Sequence, residues 1–328
     1  MPSHPGAFVQ TSLTADRPAA SDRAVVFACD ANYLPMALHA AAQIAALHPA
    51  RDFDICLATM DAPLAIPPGL APLGLRAVRI EAGGALDDLK TDRRRTASAY
   101  LRLALPGAFA ADYRRLLYLD SDVFIQGGDF SALMRADLRG RPLAAVRDTI
   151  QWRTPARSPQ AFRILGLPHA RYFNSGLMLM DLDAVLARDL PARCVALARG
   201  AGRRLPGHDQ NLLNAVLHGD WAELSPVWNW QDTWATRLFE TLVDPHIVHF
   251  IGAKKPWSPK GRDLPPRWRR SYAHFFAEHL PERALPPEPP PGLPARRDLA
   301  RLLLKHLLSA RRMTAYLARF ESDLTLLA

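Results

Sequence analysis

The chain has 328 residues, of which 49% are hydrophobic and 22% charged, and carries a formal net charge of +9. This composition supports a sizeable core and excludes a wholly disordered chain, and the length fits one large domain or two small ones. Three cysteines, Cys29, Cys56 and Cys194, lie far apart without a Cys-x-x-Cys pair, which argues against a disulfide framework or a thiolate metal site and suits a reducing compartment.

Residues 1–23 are polar and rich in Pro, Ala and Ser. They lack the apolar stretch of a secretory signal and read as a disordered extension. The apolar run 24–29 reads as a buried strand, broken by the turn Asp30-Ala31-Asn32-Tyr33. An Ala/Leu-rich helix is predicted over 34–47, with strands at 53–58 and 77–80. A helix at 96–105 ends at Pro106-Gly107. Strand 115–119 runs straight into Asp120-Ser121-Asp122, and further strands follow at 143–146 and 175–180. Helices are predicted at 182–199 and 209–217, and a late strand at 247–250. Strands alternating with helices predict an α/β sheet, whose ligands sit beyond the carboxyl ends of the strands. Asp30 and the Asp120/Asp122 pair both lie at such ends.

Beyond Trp257 the composition changes. Residues 281–294 form a proline-dense linker, and 298–320 reads as a helix. Arg301, Lys305, Arg312 and Arg319 share one face of that helix, with Leu299, Leu303, Ala310, Met313 and Leu317 opposite. From Pro259 onward there are thirteen Lys/Arg against seven Asp/Glu, so +6 of the +9 sits in this tail. Such a helix suits an anionic membrane surface, or packing on the domain or on a second copy. Trp268 with Arg267, Arg269 and Arg270 would suit an interface. No window approaches the ~20 apolar residues that span a bilayer, so the expected location is cytoplasmic, peripheral at the inner face of the membrane. Nucleic acid fits poorly, since no binding motif accompanies the charge.

Several groups could carry chemistry, and each has a plainer alternative. Asp120 and Asp122, spaced i, i+2 at a strand end, can reach one hard divalent cation, or can form a polar strand end. His249 can supply a third ligand or simply pack. Gly252, Lys254 and Lys255 can meet a diphosphate or form a solvated loop. Asp209-Gln210 can touch a sugar, or His208 or Asp209 can cap a helix. Asn174-Ser175-Gly176 is a sugar-binding turn or a plain one. Asp30, Asn32 and Tyr33 are a base-and-ribose pocket or a capped turn.

In order, these segments resemble glycosyltransferase family 8, the retaining galactosyl- and glucosyltransferases that include bacterial lipopolysaccharide and lipooligosaccharide enzymes and glycogenin. The matching stretches are Val-Phe-Ala-Cys-Asp-Ala-Asn-Tyr from Val26, Ala-Tyr-Leu-Arg-Leu from Ala99 and Leu-Tyr-Leu-Asp-Ser-Asp-Val from Leu117. Tyr-Phe-Asn-Ser-Gly follows from Tyr172, His-Asp-Gln-Asn-Leu-Leu-Asn from His208, and His-Phe-Ile-Gly-Ala-Lys-Lys-Pro-Trp from His249. The resemblance spans about Ala24 to Trp257. It implies a GT-A fold, a Rossmann-like mixed sheet flanked by helices over 24–258, with 259–328 as linker and basic tail. It implies a UDP-hexose donor, galactose or glucose, and Mn²⁺ (or Mg²⁺) held by Asp120, Asp122 and His249. Asp30, Asn32 and Tyr33 would line the uridine pocket. Arg102, Asn174, Ser175, Asp209 and Gln210 would position the sugar, with Ser121, Gly252 and Lys255 toward the phosphates. Gln210, Asp209 and Arg102 would serve the reaction, which retains configuration by front-side attack. The acceptor would be a glycan or lipid-linked saccharide in lipopolysaccharide or other surface-glycan synthesis. Asn211 departs from the family, since an acidic residue often follows the Gln. Two competing readings are a haloacid-dehalogenase-type phosphatase with Asp120 as nucleophile, and a non-catalytic sugar-nucleotide-binding module. The phosphatase motif belongs on the first core strand, and it leaves Asp30, Asn174 and His249 unexplained.

Overall fold

A computed structural model describes residues 11–62, 64–82, 98–201, 209–261, 264–287 and 295–328. In chain order its strands are β1 Thr11–Ala15, β2 Arg23–Ala28, β3 Asp54–Thr59, β4 Arg76–Ala82, β5 Arg115–Leu119 and β6 Val123–Ile125. They continue as β7 Leu143–Arg147, β8 Phe173–Asp181, β9 Ala222–Leu224, β10 Trp230–Gln231, β11 Ile247–His249 and β12 Leu326–Leu327. The helices are α1 Leu34–Leu47, α2 Ser98–Phe109, α3 Phe130–Met134, α4 Thr149–Trp152, α5 Gln160–Leu165 and α6 Leu182–Ala187. After them come α7 Leu190–Ala201, α8 Asp209–Leu217, α9 Arg237–Val243, α10 Pro266–His279 and α11 Arg296–Leu317.

Nine strands form one sheet in the order β1-β4-β3-β2-β5-β8-β7-β9-β12, and β10-β11-β6 form a small second sheet. Strands β2 to β5 pair in parallel, while β8 runs antiparallel to β5 and β7. Val25, Val26, Phe27, Leu117 and Leu119 are fully buried. Apolar layers cover both faces of the sheet, so these strands carry near-continuous apolar runs instead of alternation. The chain leaves β2 toward β3 on one side and returns to β5 on the other, which makes the β2/β5 border the switch point of the sheet. Because β8 is reversed, its beginning, Asn174-Ser175, lies at the same edge as the end of β5.

Some expected boundaries shift. Helix α2 runs through Pro106 to Phe109. A proline removes one donor aimed at the residue four earlier, and here Leu105, Ala108 and Phe109 are buried on either side of it. The expected helix 182–199 divides at Asp189, which adopts a positive φ of 51° just before Pro191.

Residues 11–15 are not a disordered extension: β1 pairs antiparallel with all but the start of β4, from Thr11↔Ala82 to Ala15↔Val78. Alternating burial along β1 shows the period-two pattern of an edge strand, too polar on one side to stand out in sequence.

The tail is also partly built into the domain. Trp268 and Tyr272 of α10 are fully buried, and the Tyr272 hydroxyl donates to Val123 O at 2.8 Å. Tyr316 of α11 stacks on Trp152 with ring centroids 5.5 Å apart. Arg319 and Arg147 both donate to the fully buried Glu223 carboxylate. Beyond them β12 closes the sheet edge against β9. The expected apolar face of α11 holds only in its second half. Met313 is buried and Ala310 and Leu317 pack on the core, but Leu299 and Leu303 are exposed, as are Leu304, Leu307 and Leu308. The inward face is Leu302, Ser309, Met313 and Tyr316, a register set by the Tyr316–Trp152 stack and the Arg319–Glu223 pair.

Candidate active site

The first carboxylate, Asp120, extends β5 by one residue, and its N–H donates to Gly176 O of β8 at 2.9 Å. The turn Ser121-Asp122 then redirects the chain into β6, which pairs with β11 so that Val123 lies opposite His249. This pairing brings together two residues 126 positions apart in sequence. His249 Nε2 stands 3.2 Å from Asp122 Oδ1 and 3.7 Å from Asp120 Oδ2. The three candidate ligand atoms all lie within 4.8 Å of one another. Two carboxylates and one imidazole suit Mn²⁺ or Mg²⁺.

The imidazole is oriented from behind. Its Nδ1–H donates to Asn229 Oδ1 at 3.0 Å, which turns Nε2 toward the carboxylates. Asn229 Nδ2 in turn donates to Asn174 Oδ1 at 2.9 Å, and Gly176 N–H donates to the same oxygen. Gly176 is required sterically: a Cβ there would lie 2.7 Å from His249 Nδ1 and nearer still to Cε1. Ser121 Oγ is buried and lacks a hydrogen-bond partner among the described residues, a polar atom left open beside the two carboxylates. Lys255 Nζ donates to Asp122 and to Phe250 O. Burial alone would raise the Asp122 carboxyl, but His249 and Lys255 outweigh it and hold it well below the usual carboxylate range.

A second cluster adjoins the first. Arg102, from α2, donates to Asp120 Oδ1 at 3.0 Å and to Ser175 Oγ at 2.8 Å, and its Nε lies 2.5 Å from Asp209 Oδ2. Tyr118 donates its hydroxyl to the same Asp120 oxygen. Burial would lower the guanidinium, yet Asp120 and Asp209 hold it above its ordinary value, so Arg102 is a permanent cation. Burial raises the Asp209 carboxyl, partly offset by Arg102. Gln210 is held at both ends of its amide. Its Oε1 accepts from Ser175 N at 3.1 Å, and its Nε2 donates to Asp148 Oδ2 at 3.1 Å and to Tyr172 Oη at 3.2 Å. The Tyr172 hydroxyl donates to Asn211 Oδ1, so Asn211 supports the cluster as an acceptor.

The Asp30 segment completes the edge. Asp30 follows β2 and accepts from the N–H groups of Asn32 and Tyr33 at 3.0 Å, an Asx turn that starts α1. Tyr33 is 41% exposed. Burial raises its hydroxyl, and so do the charges of Asp122, Asp30 and Asp120. Gly252 sits at φ +83°, exposed, between His249 and Lys255. His208 lies outside the described residues.

Asp120, Asp122, His249, Lys255, Arg102, Asn174, Ser175, Asp209 and Gln210 are thus joined at the edge where β5 ends and β8 begins, whereas Lys254 turns to Trp234. Those missed are Asp148, Asn229 and Tyr172. Asp148 is nearly as legible as Asp120, since it follows the apolar β7 at a strand end. A register shift between Ala145 and Val146 turns that end toward Asn174. Burial raises its carboxyl above the usual range. Asn229 carries no local signal.

The family model for glycosyl transferase family 8 matches residues 24–261. The chain belongs to this family. Among curated relatives, General stress protein A of Bacillus subtilis (strain 168) is 28% identical over 198 residues, 56% of this chain and 65% of that protein. Lipopolysaccharide glucosyltransferase WaaO of Escherichia coli (strain K12) is 25% identical over 190 residues, 56% of each chain. The chain spans less than two thirds of either relative. The crystal structure of galactosyltransferase LgtC in complex with donor and acceptor sugar analogues superposes with a TM-score of 0.60. It is 20% identical, over 78% of this chain and 100% of that one, and the shared architecture is the GT-A fold. Family membership displaces the phosphatase reading. The family match ends at Gly261, close to the boundary expected at 258.

Proposed function

We propose that this protein is a retaining hexosyltransferase that moves galactose or glucose from a UDP-sugar to a glycan or lipid-linked saccharide acceptor in bacterial lipopolysaccharide or other surface-glycan synthesis. The observation that carries the reading is the Asp120, Asp122, His249 triad, with its imidazole oriented by Asn229. These three side chains would hold Mn²⁺, or Mg²⁺ in its place. The bound ion supplies charge neutralisation to the departing diphosphate.

The protein's own groups do the rest. Asp30, Asn32 and Tyr33 meet the uridine, where Tyr33 offers a partly exposed ring. Lys255, which pairs with Asp122 in this structure, would meet the phosphates together with the backbone at Gly252 and the Ser121 hydroxyl. Arg102, bonded to Asp120, Asp209 and Ser175 at once, ties the metal end of the site to the sugar end. Asn174, Ser175 and Asp209 bond sugar hydroxyls. Gln210 stands at the anomeric carbon, its amide fixed by Ser175 and Asp148. The acceptor hydroxyl attacks the anomeric carbon from the face the diphosphate leaves. One C–O bond forms as the other breaks, and the proton passes to the departing phosphate oxygen, so configuration is retained. The carboxamide of Gln210 is a weak nucleophile and Asn211 is uncharged, which favours this single displacement over a glycosyl-enzyme.

The tail supports a peripheral place at the inner face of the membrane. Among the described residues no helix is long and apolar enough to cross a bilayer. On α11, however, Leu304, Leu307 and Leu308 are 57%, 71% and 74% exposed, with Lys305, Arg311 and Arg312 beside them. Leucines flanked by cations suit an anionic surface.

A screen of UDP-hexoses for UDP release tests the reaction. Mn²⁺-dependent release with UDP-galactose or UDP-glucose is expected. No release from any UDP-hexose would overturn the proposal.

A further inference from the structure

Three cations converge on one ring outside the site described above. Arg237, Lys254 and Arg301 lie 5.1, 5.3 and 5.4 Å from the centroid of the Trp234 indole. They come from three separate segments: the start of α9, the loop after β11, and the first turns of α11. Arg237 is buried and fixed by an ion pair to Asp232 at 2.7 Å. Asp232 N–H donates to the carbonyl of His249 at 2.9 Å, so the cluster is anchored on the backbone of a candidate metal ligand. Phe239 of α9 also packs against His306 of α11, the helix that carries Arg301, with ring centroids 4.1 Å apart.

Successive lysines divide between two places. Lys255 reaches Asp122, whereas Lys254 reaches Trp234. The donor diphosphate is met on the Lys255 side, so the Lys254 side is left to the second substrate. We infer that Trp234, Lys254, Arg237 and Arg301 form a subsite for an anionic group, a phosphate monoester or carboxylate, carried by the acceptor sugar. The indole presents a flat apolar surface to a sugar ring, and the Arg301 guanidinium and Lys254 ammonium give charge-assisted bonds to oxyanions, while Arg237, paired with Asp232, lies against the ring. The tail helix thus supplies a specificity residue, Arg301, to the catalytic domain. This inference rests on the proposed transferase reading for the identity of its ligand as an acceptor.

The test is calorimetric titration of galactose 6-phosphate, and of galactose, into the full chain held in saturating UDP and Mn²⁺, which occupy the diphosphate site. The phosphorylated sugar is expected to bind at least about tenfold more tightly. Arg301→Ala and Lys254→Ala are each expected to weaken it about three- to tenfold, with a shallower salt dependence. UDP affinity should be unchanged in Arg301→Ala, whose side chain is exposed. Equal affinity for the two sugars, or an Arg301→Ala protein that binds galactose 6-phosphate like the parent, would overturn the inference. A lipid source of the anion is read separately with vesicles of phosphatidylglycerol and phosphatidylcholine. If Arg301→Ala loses vesicle binding while sugar-phosphate binding stays intact, the cluster is a lipid site and the inference is wrong. Failure of UDP to bind with Mn²⁺ would count against the transferase reading instead. The sugar titration without nucleotide then still decides whether the cluster takes an anion.

Discussion

Replacing Asn229 by alanine tests how the site holds its imidazole. Asn229 is fully buried, accepts from His249 Nδ1 at 3.0 Å and donates to Asn174 Oδ1 at 2.9 Å. Its removal leaves the imidazole free to rotate or to change tautomer, and a buried N–H without an acceptor costs about 1–3 kcal/mol. Outer-shell partners of metal-bound histidines are worth about 10- to 100-fold in metal affinity, equivalent to about 1.4–2.8 kcal/mol. The half-saturating Mn²⁺ concentration for UDP release should rise by that factor, while kcat recovers at high Mn²⁺ because the three ligands are intact. Mn²⁺ titrations of release by the parent and by Asn229→Ala give both quantities. An unchanged half-saturating concentration would refute the argument that Asn229 orients a ligand. A loss of kcat that no Mn²⁺ concentration restores would assign it another role.

Gly176→Ala should act on the same ring by a different route, since the new Cβ forces His249 aside. A rise of at least about tenfold in half-saturating Mn²⁺ is expected, with a lower melting temperature. His39 is buried against Tyr272 and bonded to Ser271, and burial lowers its pKa to about 3. The unfolded chain takes up a proton near pH 6.5 that the folded one excludes, so its contribution to stability is present above pH 6.5 and lost as pH falls toward 3. Melting temperatures of His39→Gln should therefore fall less steeply over that range than those of the parent. Glu223→Gln removes the buried partner of Arg147 and Arg319. Breaking a buried pair costs about 3–5 kcal/mol, and denaturant unfolding should show a loss of that order.

The central sheet was legible because β2, β5 and β8 are buried on both faces and so carry unbroken apolar runs. The Asp120, Asp122, His249 triad was legible for a related reason: Asp120 and His249 each stand where such a run stops. Asp148 follows the same rule after β7, but it stands alone where Asp120 has Asp122 beside it, so its signal is weaker. Asn229 and Tyr172 act only through contacts across the fold, and neither was singled out for a role by its local sequence. The short strands β6, β10 and β12 have two or three residues, too few for a period to show. The face of α11 was misassigned in its first half because that stretch carries leucine at 299, 302, 303, 304, 307 and 308. Leucines on every side leave no unique apolar stripe, and Tyr316 and Arg319 at the far end choose the register.

The central claim is that Asp120, Asp122 and His249 hold a divalent cation that the nucleotide-sugar needs. Calorimetric titration of Mn²⁺ into UDP-saturated protein tests it most directly, with the parent compared against Asp122→Asn and His249→Ala. One Mn²⁺ per chain is predicted for the parent, with affinity lowered by at least about 100-fold in both variants, since each loses a direct ligand where an outer-shell partner alone is worth up to that much. Binding of equal affinity in all three proteins, or none in the parent, would contradict it.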